Sequence, residues 1–158
     1  MDITLRYGAA GDVGEILAWH ERCSPDAVYR RYHVPVPTPS KRLVRRLLLP
    51  TGGFSMLALL GPTVVGMACA GPLSPKVFEV GLLVEDDLQR RGIGSRLLAA
   101  TAYDAAVRGH RALVCLTQPG NHAVAPTVAG AGLGFESHPE DGLTRLTIAL
   151  DDILRLPA

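Results

Sequence analysis

VFEVGLLVEDDLQRRGIGSRLLAATAYDAAVRG, residues 77–109, is the stretch whose reading decides the fold. Its first eight residues are apolar but for Glu79 and dense in Val, Leu and Phe, as expected of a central strand covered on both faces. An acidic turn, Glu85-Asp86-Asp87, follows. From Arg96 to Arg108 the apolar side chains recur at helical spacing, with Leu97, Leu98, Ala102, Ala105 and Ala106 on one face and Gly109 as the stop. Between strand and helix lies Gln89-Arg90-Arg91-Gly92-Ile93-Gly94-Ser95. A strand that enters a glycine-bearing turn and then a helix N-terminus leaves backbone N–H groups without partners, which favours an anion, above all a phosphate. Gly92 and Gly94 let the backbone come close, and Arg90 and Arg91 add positive charge. A P-loop needs GxxxxGK[ST], and no Lys follows either glycine. A dinucleotide fingerprint needs a third glycine where Leu97 stands, and an acidic residue at the end of a second strand. The pattern that fits is Q/R-x-x-G-x-G/A.

Outward from this seam the chain alternates short elements. ITLRY reads as a half-buried strand, and the following helix places Val13, Ile16, Leu17 and Trp19 at helical spacing with Asp12 as its cap. SPDAVYRRYH reads as a second helix capped by Ser24 with Pro25 at its first position. The prolines of VPVPTPS force an extended path before KRLVRRLLLP resumes helical spacing. FSMLALLG and VVGMACAG, separated by Gly61-Pro62, form a hairpin, and LSPK turns into the strand at Val77. Downstream, RALVCLT is a strand, NHAVAPTVAGAG a weak helix, and GFES and LTRLTIAL closing strands. The order is that of a mixed α/β domain.

Bulk properties narrow the function classes. A chain of 158 residues fits one domain with a real core. A formal net charge of +1 gives no global field for nucleic acid or an anionic membrane, so the charge that matters is local. Cys23, Cys69 and Cys115 are far apart and odd in number, which argues against a disulfide framework and a zinc site and for core thiols in a reducing compartment. MDITLRYGAAGD has no signal pattern, and no apolar stretch approaches the ~20 residues of a bilayer span, so the expected location is the cytoplasm. The richness in Ala, Leu, Arg and Gly is that of a GC-rich bacterial genome.

The strand GLLV, the turn EDD and the segment QRRGIGSRLL together resemble the GNAT acyltransferases in order and spacing, and Asn121 and Gly134-Phe135 fall where that family often has Asn and GF. The resemblance covers about residues 2–150 and implies an α/β (α+β) GNAT fold: a single domain over 1–158 with a central mixed, mostly antiparallel twisted sheet flanked by helices. It implies acetyl-CoA as cosubstrate, no metal, and a pyrophosphate held by the Gln89, Arg90, Arg91, Gly92, Ile93, Gly94, Ser95 loop. Main-chain groups of Leu82, Leu83 and Val84 would hold the pantetheine arm, and one of their N–H groups would polarise the thioester carbonyl. Asn121 would contact the pantetheine or the departing thiol; a plain helix cap after Pro119-Gly120 is the other reading. SPDAVYRRYH and FEVGLLVEDDLQRRGIG are also similar to the GNAT domain of Pat-type protein lysine acetyltransferases, whose synthetase-like or nucleotide-sensing domains have no counterpart here.

Transfer from a thioester to an amine needs a neutral amine, and a free lysine titrates near ~10.4, so something must take a proton. Glu79 is the candidate base: it lies in an apolar run, where partial desolvation would make its carboxylate a better proton acceptor, and it matches the position of the Pat-type base. A solvated or Arg-paired strand Glu is the competing reading. Glu85, Asp86 and Asp87 look like turn residues, His122 and His138 like surface residues, and Tyr29 and Tyr32 either line the acceptor site or pack their helix. The Tyr that many family members place four residues before the Gly of GF, as acid for the thiolate, is Gly130 here. Three functions therefore compete: acetylation of a protein lysine, acetylation of a small-molecule amine, and a non-catalytic acyl-CoA sensor or partner subunit. Edge strands of such a sheet can pair in a homodimer.

Overall fold

The helix and strand patterns of the sequence fold around one open sheet in a computed structural model that describes residues 1–35 and 38–155. The strands are β1 (Ile3–Tyr7), β2 (Phe54–Leu60), β3 (Thr63–Ser74), β4 (Val77–Val84), β5 (Ala112–Thr117), β6 (Glu136–Glu140) and β7 (Leu143–Ala149). The helices are α1 (Val13–Arg22), α2 (Pro25–Tyr32), α3 (Lys41–Leu48), α4 (Ile93–Val107) and α5 (Val124–Gly130). The sheet order is β1-β2-β3-β4-β5-β7-β6, and every pairing is antiparallel except β4 with β5.

That exception shapes the molecule. β4 pairs with β3 from Val77 to Val84, but with β5 only from Val77 to Glu79, whose partners are Ala112 to Val114. β5 then runs on beside β7 to Thr117. The two central strands therefore part after Glu79 and leave a fork in the middle of the sheet.

Strand alternation sorts β4 between two cores. Phe78, Val80, Leu82 and Val84 join Ile93, Leu97, Leu98, Ala102, Ala105 and Ala106 of α4 in one cluster. Leu83 joins the other, where Met67 and Cys69 of β3 meet Ile16 and Trp19 of α1, Ala27 and Val28 of α2, and Val44 and Leu48 of α3. The α4 face expected from spacing is thus the buried one, although the helix begins at Ile93, three residues ahead of Arg96, because Gly92 already turns the chain.

Local signals explain most termini. The Ser24 hydroxyl accepts from the Ala27 N–H, and Pro25 opens α2. Ser40 caps α3 in the same way through the Leu43 N–H. Asp12 does not cap α1 with its side chain: Arg6 donates to both of its oxygens at 2.9 and 2.8 Å, and the Ala9 N–H donates at 2.8 Å. The last pair of strands begins later than expected, β6 opening at Glu136, and Phe135 is 38 % exposed. Of the extended path expected over 34–40, Val36 and Pro37 lie outside the described residues. Among the described residues, no helix is long and apolar enough to cross a membrane, and no group of three or more His, Cys, Asp and Glu side chains gathers as metal ligands would.

Candidate active site at the fork of β4 and β5

Backbone geometry makes one half of the site. In an antiparallel ladder every second residue turns its N–H and C=O toward the same neighbour. The Glu85 N–H donates to Val65 O, so Leu83 and Gly81 also face β3, while Val84, Leu82 and Val80 face the side that β5 has left. The main-chain groups of Leu82 and Val84 are therefore on the open edge, whereas those of Leu83 are spent on Met67 and its side chain on the core. The Gln89 side chain donates to Val84 O at 2.9 Å and pins the end of the strand to the loop behind it.

The loop continues this edge. Arg90 has φ of 62° and Gly92 of 81°, and both Arg90 and Arg91 are exposed. The first bond of α4 runs from Arg96 N to Gly92 O, and no backbone N–H from Arg90 to Ser95 has a hydrogen-bond partner among the described residues. A row of free donors at the positive end of a 15-residue helix suits a diphosphate. Ile93 is buried and anchors the turn; Gly94 lies half-buried against Leu82 and Thr127. The Ser95 hydroxyl donates to Thr127 O at 2.9 Å, tying α4 to α5. A Cβ on Gly130 would strike that same hydroxyl, so α4 and α5 pack closely at this position. Asn121 accepts from the Ala123 N–H at 3.3 Å in the turn before α5.

The other half lies on the face of α1 to α3. Glu79 is the last residue of β4 paired with β5, so it stands at the fork. Its side chain is exposed, contrary to the expected desolvation, because the residue opposite it on β3 is Gly71, which has nothing to cover it, and the second core stops at Cys69 and Leu83. Two residues on, the Arg31 guanidinium lies directly over Gly81, where a Cβ would collide with it, and against the buried Cys69 thiol. Burial pushes the Cys115 thiol up to about 11, with smaller opposing effects from the charges of Arg31 and Glu79. Sequence reasoning missed Arg31. The signal was Gly81, an isolated glycine in an apolar strand, which marks close approach of another group.

Tyr32 packs rather than projects. Its hydroxyl donates to Nε2 of His20 at 2.6 Å, while Nδ1 of the same ring donates to Ile16 O at 2.8 Å, and burial raises the phenol above its ordinary range. Tyr29 is 43 % exposed. Glu85 pairs with Arg22 at 3.3 Å, and Asp86 accepts from the Ser24 N–H and hydroxyl at 2.8 and 2.6 Å, so the acidic turn holds the start of α2. Asp87, His122 and His138 are exposed. The three cysteines are free; Cys23 and Cys69 are buried.

The acetyltransferase (GNAT) family model matches residues 14–135. Among solved structures, the GNAT domain of S. lividans PAT is 25 % identical, with a TM-score of 0.83 over 92 % of this chain and 89 % of that one. A GNAT superfamily phosphinothricin acetyltransferase from Sinorhizobium meliloti, in complex with acetyl-CoA, is 18 % identical, with a TM-score of 0.73 over 94 % and 88 %. An N-acetyltransferase from Staphylococcus aureus Mu50 is 19 % identical, with a TM-score of 0.68 over 94 % and 97 %. No curated protein matches by sequence.

Proposed function

Because the chain belongs to the acetyltransferase (GNAT) family, and is thus an N-acetyltransferase that uses acetyl-CoA, we propose that it acetylates a primary amine by direct attack, with Glu79 as the proton acceptor. The observation that carries this reading is the continuous open edge from Leu82 and Val84 to the unpaired N–H row of Arg90 to Ser95, with a carboxylate at the fork where that edge begins. The loop takes the pyrophosphate, and Leu82 and Val84 take the pantetheine amides. An N–H on this edge donates to the thioester carbonyl as negative charge grows on its oxygen. The ammonium gives one proton to Glu79, its nitrogen bonds to the carbonyl carbon, the C–S bond breaks to release the thiolate, and the second nitrogen proton then passes to water or to the departed thiolate as the amide forms. A seated acceptor covers the exposed Glu79 and excludes water from around the reacting groups.

The preferred acceptor is a lysine side chain of a protein, on the strength of the Pat-like segments and the likeness to the S. lividans domain. A small-molecule amine is the second reading, supported by the openness of the fork. Gly130 leaves the thiolate without the tyrosine many relatives use, but a thiolate is stable enough to leave unprotonated.

Glu79→Gln tests the base. Turnover of the amine should fall by about 10²-fold or more near neutral pH and recover as pH approaches ~10, where the amine loses its proton unaided, with acetyl-CoA affinity unchanged. Equal turnover of both enzymes across the pH range would remove Glu79 from the mechanism. Selective calorimetric binding of acetyl-CoA over ATP and NAD tests the cosubstrate.

A further inference from the structure

The acceptor side of the fork holds a cation that the chemistry above does not use. Arg31 lies in the last turn of α2, is half-buried, and has its guanidinium over Gly81, near the thiol of Cys69 and the ring of Tyr32, whose centroid is 4.9 Å away. Glu79 stands nearby on the same strand face, yet no carboxylate comes within 4.0 Å of Arg31 among the described residues. Arg22 at the end of α1, by contrast, pairs with Glu15 and Glu85. A guanidinium taken partly out of water and left unpaired is costly, and its planar fork of donors matches a carboxylate. The cost is tolerated where a ligand completes the pair. Gly81 adds to this, because the strand gives up a side chain at the one place where the guanidinium rests.

We propose that Arg31 is a specificity-determining residue that binds a carboxylate carried by the acceptor close to its reacting amine. The acceptor class is then an amine with an adjacent acid, either a free amino acid or a peptide lysine beside an acidic side chain. The inference rests on the amine-acetylation reading above, with the amine at Glu79 and the acid one step along β4 at Arg31.

The test uses matched acceptors: amino acids against their carboxamides, and lysine peptides with Glu against Gln beside the lysine. In the intact enzyme the acid member of a pair should be favoured at least tenfold in kcat/KM, mainly through KM. Arg31→Gln and, independently, Gly81→Ala, which keeps the guanidinium but displaces it, should erase that preference without changing the KM for acetyl-CoA. Which pair shows the preference identifies the source of the carboxylate. Calorimetry of the coenzyme A complex with an N-acetyl amino acid and its amide gives a readout that needs no turnover. Tighter binding of the acid, lost in Arg31→Gln, upholds the inference even if no acceptor is acetylated, in which case the amine reading fails alone. Equal rates and equal or absent binding of acid and amide overturn it. So does an Arg31→Gln enzyme that loses kcat equally on both members or loses acetyl-CoA affinity, since the arginine then serves Glu79 or the cosubstrate.

Discussion

At the scale of single residues, the His20 and Tyr32 pair shows how a polar contact can be buried at little net cost. His20 is 2 % exposed, edge-on to Trp19 and stacked on Tyr32, and both ring nitrogens have partners, so the neutral ring is satisfied. Burial, with a smaller push from Arg31, holds the imidazole below its ordinary range despite the bond to Ile16 O. The folded state therefore binds the proton less readily than the unfolded chain. Stability from this source is complete above the unfolded value, ~6.5, and falls as pH drops below it. Burial moves His110 in the same direction. Melting temperature should accordingly decline from pH 7 to pH 5. Tyr32→Phe, which leaves Nε2 of His20 buried without a donor, should cost about 1–3 kcal/mol at pH 7 by denaturant unfolding. A variant as stable as the parent would mean that water reaches this ring.

At the scale of elements, the junction of β4 and α4 depends on backbone conformation more than on side chains. Gly92 is the N-cap of α4 with φ of 81°, where an added Cβ meets no neighbouring atom, so strain and not crowding selects glycine. Gly92→Ala should cost about 1–2 kcal/mol of stability if the turn keeps its shape. If the turn relaxes instead, the N–H row disperses, and acetyl-CoA binding should weaken roughly tenfold, equal to about 1.4 kcal/mol. Calorimetry and thermal melting separate the two results, and a variant unchanged in both would contradict the role given to this turn. The same junction is braced from the other side. Asp86 accepts two bonds from Ser24 at the start of α2, so the loop that follows β4 and the helix that carries Arg31 share an anchor.

At the scale of the whole molecule, the proposed reading puts cosubstrate and acceptor on opposite faces of the sheet. Its α4 face carries the loop, its α1 to α3 face carries Arg31 and Glu79, and the fork after Glu79 is where the two sides meet. Net charge is +1, so in that reading attraction for a polyanionic cosubstrate comes from the exposed Arg90 and Arg91 and the end of α4. Exposed charges are screened over about 8–10 Å at moderate salt. Acetyl-CoA affinity should therefore fall as salt rises from about 0.05 to 0.5 M, a range that shortens the screening length several-fold. Arg90→Gln with Arg91→Gln should bind more weakly at low salt and respond less to added salt. An unaltered salt response in the double variant would place the electrostatic attraction elsewhere.

Residues 77–109 carry a strand, a turn and a helix whose signals lie within a few residues of one another, and all three form, the helix starting three residues earlier than its spacing suggested. The hairpin at Gly61-Pro62 and the Ser24-Pro25 start of α2 are likewise local, since turn chemistry and capping act over one to four residues. The chain by itself determined these, together with the GNAT pattern of its loop. Pairing between distant strands decided the rest. Glu79 looked enclosed because its neighbours in sequence are apolar, but its cover depended on Gly71 across the ladder. Asp12 had the residue type of a cap, yet the Arg6 guanidinium took its carboxylate. Arg31 and Gly81 are 50 positions apart, and only the docking of α2 on β4 sets a guanidinium over the residue that has no side chain. Contacts of that kind arise from packing one element on another, which no pattern within either element encodes.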